Sequence, residues 1–77
     1  MKDYLKQIVY VIIKNNGSIT KDEIKDKVYD FAKSKNLLTR EFVNAFGDIG
    51  WLMQDLRLDD ELVKSERVGR YWYWSVR

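Results

Sequence analysis

Gln54 and Arg57 stand three residues apart in a stretch whose apolar residues, Ile49, Leu52, Met53 and Leu56, repeat at helical spacing. With that stripe buried, Gly47, Gly50, Gln54 and Arg57 fall on the outward side, so a primary amide and a guanidinium share one surface. Gln can bond the edge of adenine in pairs, and Arg the edge of guanine. Downstream, Lys64, Arg67 and Arg70 recur at every third position as cations able to neutralise phosphates and release their counterions. Thr39 and Arg40 open a helical segment and are further phosphate candidates. Beside the cations runs Tyr71-Trp72-Tyr73-Trp74, whose rings could stack bases or close a small core. An outward Gln and Arg equally make an ordinary solvated face, so the elements that carry them decide between these readings.

Other chemistries are poorly provided for. Histidine and cysteine are absent, which removes disulfides, thiolate nucleophiles, imidazole bases and the zinc sites built from them. Carboxylates, Lys, Ser or Tyr can catalyse only in a pocket that shifts their pKa. The chain has no glycine-rich phosphate loop, no G-x-S-x-G elbow and no paired-carboxylate motif. Asp59-Asp60-Glu61 lacks the alternating spacing of a calcium loop and reads as a solvated turn. The expectation is a protein that is not an enzyme, with no catalytic residues, metal or cofactor. The longest apolar run, Ile8 to Ile13, is six residues, too short to span a bilayer or to serve as a secretory signal, so a cytoplasmic setting is expected.

The 77 residues form one domain, 1–77, with apolar residues at 45% and charged ones at 34%, enough for a dense core under a solvated surface. Leu5, Ile8, Val9 and Ile12 make Lys2 to Asn15 an amphipathic helix with Gly17 as a left-handed stop. Ile19 then stands alone between Ser18 and Thr20, able to add one rung to a sheet. Thr20-Lys21-Asp22-Glu23 is a capping box that opens a second helix, with Ile24, Val28, Phe31 and Ala32 buried and an end near Lys35 and Asn36. From Arg40 to Leu58 the apolar spacing continues across two glycines. It fits one long helix, or, preferred, a break near Gly47 with Asp48 capping a second piece. Asp59, Asp60 and Glu61 belong in the turn beyond, because carboxylates are repelled from a helix C-terminus.

The period then changes. Leu62 to Glu66 and Arg70 to Val76, joined by Arg67-Val68-Gly69, read as a β-hairpin. Trp72, Trp74 and Val76 share one face, placed inward, which leaves Tyr71 and Tyr73 outside. Trp51 shares a stripe with Asp55 and Leu58 and reads as a half-buried boundary residue. Exposed, Trp51 and Leu58 would instead make an apolar patch suited to docking a protein or a second copy.

This order of elements resembles the winged helix-turn-helix family: mainly α with a small β part, three helices, a one-residue strand after the first, and a C-terminal hairpin wing. Gly50-Trp51, then Leu56, Leu62-Val63 and Gly69-Arg70-Tyr71-Trp72, are similar to the N-terminal winged-helix domain of Mrr-type restriction proteins. The resemblance implies a third helix that enters the major groove of double-stranded DNA and a wing that tracks the backbone, in a small transcriptional regulator working as a homodimer. Segment charges pull both ways, for residues 62–77 carry +3 and residues 39–61 carry −4. The competing expectation is a protein-binding adaptor or inhibitor that docks through its acidic segment 48–61.

Overall fold

The computed structural model describes residues 1–77. Helix α1, Lys2–Asn16, turns Leu5, Ile8 and Val9 inward as the spacing predicts, with Ile13 as the fourth buried residue and Ile12, expected there, only half-buried. Gly17 ends it at φ 74°, ψ −66°, and the Ser18 amide donates to the Asn16 carbonyl at 2.8 Å. That is a γ-turn rather than the expected left-handed stop, and only glycine enters it cheaply. Strand β1, Ile19–Thr20, has two residues rather than one.

Thr20 caps α2, Lys21–Ser34, through the full capping box. The Glu23 amide donates to Thr20 Oγ1 at 3.3 Å, and the Thr20 amide and hydroxyl donate to Glu23 Oε1. At its other end Asn36, at φ 57°, lets the Leu37 amide reach the Ala32 carbonyl at 2.8 Å and the Asn36 amide reach that of Lys33 at 3.3 Å. This is a Schellman closure, with asparagine in the place glycine usually takes.

The third helical region is split, so the chain has four helices where three were expected: α3, Arg40–Phe46, and α4, Ile49–Leu58. Thr39 caps α3 by accepting from the Phe42 amide at 3.2 Å. Asp48 does not cap α4 with its side chain, against expectation. Its backbone, at φ −99° and ψ 15°, lacks the extended geometry an N-cap needs, and its carboxylate pairs with Lys2 at 3.0 Å. Asp60 and Glu61 fall beyond the end of α4, as the dipole argument requires, whereas Asp59 is its C-cap, still in helical geometry with its amide on the Asp55 carbonyl.

The hairpin is β2, Val63–Val68, and β3, Tyr71–Val76, so the strands run closer to the tip than expected and Gly69-Arg70 alone form the turn. Positive φ at Gly69 only is the type II′ pattern. The sheet is antiparallel in the order β1-β3-β2, with Ile19 opposite Trp74 and Thr20 opposite Tyr73. Sixteen buried residues, all apolar, form one core in which α1 packs against α2, α3, α4 and β3.

Two aromatic placements correct the sequence reading. Trp74 is 6% exposed and belongs to the core, but Trp72, on the same face, is 54% exposed. The hairpin runs past the end of the helical layer, so its inner face meets core at Trp74 and open space one rung further out. Trp51 is 74% exposed and Leu58 60%, so neither is a boundary residue.

Candidate nucleic-acid interface

A trough with a cavity volume of about 450 Å³ lies between the start of α2, the outward flank of α4 and the hairpin. Gln54 and Arg57 form its floor and are half-buried. Thr20, Lys21 and Asp22 supply one wall, at the N-terminus of α2, where the unpaired backbone amides carry partial positive charge. Ser65 and Trp74 line the root of the other wall, and Arg70, Tyr71 and Trp72 line its rim. A shallower hollow continues past Lys21 and Gln54 to Lys25, Gly50 and Trp51.

On the floor, Arg57 donates from Nε and Nη2 to Gln54 Oε1 at 3.0 and 2.7 Å. Residues three apart on a helix are neighbours, so the pair forms within α4 itself. One face of the guanidinium fork is thereby used, and the Gln54 carbonyl oxygen with it. Bidentate reading of adenine needs that oxygen as an acceptor, so in this arrangement the pair presents donors alone: the Gln54 amide hydrogens and the remaining Arg57 hydrogens.

The expected site residues therefore separate. Gln54, Arg57 and Arg70 meet in the trough. Arg67 is on the face of Trp72 but is folded over the turn, with Nε donating to the Gly69 carbonyl at 3.0 Å. Lys64, opposite Ser75, projects from the other face of the sheet. Thr39 spends its hydroxyl oxygen on the α3 cap, and neither it nor Arg40 borders the trough.

Lys21 was not foreseen. A Cβ placed on Gly50 would come within 2.9 Å of Lys21 Nζ, so the tip of the Lys21 side chain lies over this glycine and would have to shift if it carried a side chain. Its sequence signal was its place directly after the β1–α2 cap. Trp72, one of the rings that could stack bases, was placed in the core instead, because parity assigns a face and says nothing of depth.

The charges are sorted across α4. Lys21, Arg57 and Arg70 line the trough with Asp22 as the one carboxylate among them. None of the six acids of residues 39–61 lines the trough, and four pair elsewhere: Glu41 with the N-terminal ammonium at 3.7 Å, Asp48 with Lys2 at 3.0 Å, Asp60 with Lys6 at 2.8 Å and Glu61 with Arg77 at 3.8 Å. The hydrogen bond to Asp60, aided by the charges of Asp60, Asp55 and Asp3, raises the Lys6 pKa above its ordinary value, against a smaller opposing effect of burial. Asp55 thus also acts on the α1 side. No helix is long and apolar enough to cross a membrane. Comparison with protein-family models, with curated proteins and with solved structures returns no match.

Proposed function

We propose that this chain is a winged-helix module that binds double-stranded DNA, a small transcriptional regulator that acts as a homodimer. The sorting of charge across α4 carries the reading. Four of the six carboxylates of residues 39–61, which would repel a phosphate backbone, pair with Lys2, Lys6, Arg77 and the N-terminal ammonium, and none of the six lines the trough, while the flank shared with the hairpin is cationic. Lys21, Arg57 and Arg70 neutralise phosphates beside the α2 N-terminus, and Arg67 extends the positive field along the same face of the wing, while Lys64 lies on the opposite face.

Titration of a mixed-sequence duplex at two salt concentrations tests this. With three phosphate contacts from each protomer, affinity falls about 40-fold per protomer between roughly 50 and 200 mM salt, and more steeply for the dimer as a whole. Absence of binding at the lower salt defeats the proposal.

A second reading, a protein-binding adaptor or inhibitor, draws on one observation, the exposure of Trp51 and Leu58 on one edge of α4 beside Asp55 and Asp59. Its electrostatic half is weakened by the pairing of Asp48, Asp60 and Glu61 within the chain. Failure to bind duplex, together with a Trp51→Ala variant that loses a protein partner, would favour it.

A further inference from the structure

The trough is a concavity, and the exposed rings stand around it. Tyr71 and Trp72, 55% and 54% exposed, form its outer wall, and Trp51 stands at the far end of the hollow that Lys21 and Gln54 share with it. In an intact duplex the faces of the bases are hidden inside the stack and only their edges reach the grooves, so flat rings flanking a cationic channel find no partner there. Unpaired bases offer both faces, and stacking on aromatic side chains is how proteins hold single strands beside a charged backbone track.

The floor agrees with this ligand. A helix that reads the major groove presents its side chains on a protruding ridge. Here Gln54 and Arg57 are recessed below a rim of Lys21, Arg70, Tyr71 and Trp72, so the surface admits a strand instead of inserting into one. The donors left on the Gln54–Arg57 pair suit phosphate oxygens and the carbonyl oxygens of exposed bases.

We propose that the trough takes an unpaired strand of DNA, with bases stacked on Trp72 at one end and on Trp51 at the other, so that the protein prefers a duplex bearing a single-stranded tail. This rests on the DNA-binding reading above and narrows its target. The test uses the full chain with two labelled probes, a blunt mixed-sequence duplex and the same duplex with a short unpaired thymidine tail, at low and moderate salt. The tailed probe binds roughly tenfold more tightly, the worth of one good stack. Trp72→Ala removes most of the preference for the tailed probe, Trp72→Phe keeps most of it, and Trp51→Ala lowers it by a smaller factor. Equal binding of both probes by the unaltered chain overturns the inference and leaves the DNA-binding reading intact. So does a Trp72→Ala variant that weakens both probes in proportion, because the ring would then be a wedge in the duplex rather than a platform for a free base. No binding of either probe at low salt removes both.

Discussion

The two flanks of α4 carry opposite electrostatic designs on one short helix. On the flank that faces α1, carboxylates at and near the helix ends meet ammonium groups: Asp48 with Lys2 at one end, Asp60 with Lys6 just beyond the other. On the flank that faces the hairpin, Arg57 meets an amide and no carboxylate, with Lys21 and Arg70 nearby. Ion pairs of partly exposed groups contribute little to stability, typically about 0.2 to 1 kcal/mol each. Their larger effect here is directional, since they hold negative potential away from the trough. A net charge summed over a segment cannot reveal this, because it counts charges without saying which way they face.

The contrast breaks most visibly from the cationic side. Arg57→Glu combined with Arg70→Glu lowers duplex affinity on the order of a hundredfold at low salt, measured by fluorescence anisotropy, with the melting temperature little changed. Reversing the other flank, Asp48→Lys with Asp60→Lys, does the converse. It costs about 1 kcal/mol of unfolding free energy in urea, through lost pairs and new like-charge contacts with Lys2 and Lys6, and leaves duplex affinity no weaker. Affinity lost in that variant would show that the α1 flank is part of the interface.

Gly50→Ala separates propensity from placement. It adds up to about 1 kcal/mol of stability by removing a helical glycine, while pushing Lys21 Nζ from its seat weakens duplex binding by about twofold to threefold. The smallest effect is on pH dependence. The Lys6 pKa is raised in the folded chain, so its pairing with Asp60 stabilises fully below the ordinary lysine pKa and is lost as pH climbs through the raised value. Thermal melts above pH 10.5 should fall more steeply for the native chain than for Lys6→Met, and parallel curves would remove Lys6 from the account.

The parts of the fold written in local chemistry were legible. The Thr20–Glu23 box, the Thr39 cap and the break after Phe46 depend on residues within a turn of each other and occur where their spacing places them. What escaped the sequence depends on distance in space. Alternation assigned Trp72 and Trp74 to one face correctly, yet the core stops between them, and only the length of the neighbouring helices determines where. Trp51 continues a helical stripe, but no element covers that edge of α4. The destination of the acids required knowing that α1 lies along α4. The Gln54–Arg57 bond was within reach, since residues three apart on a helix touch, and its consequence for base reading follows once both are seen to spend donor and acceptor on each other.

Strand β1 pairs with β3 at two positions only, Ile19 with Trp74 and Thr20 with Tyr73. At those two rungs the ribbon is three strands wide, and beyond them, from Trp72 to the Gly69-Arg70 tip, only two. Flexural rigidity therefore drops abruptly at a single rung, and the outer hairpin behaves as a springboard clamped at Trp74. No side chain of that outer stretch belongs to the core, so a change in its angle to α4 would leave the packed interior as it is.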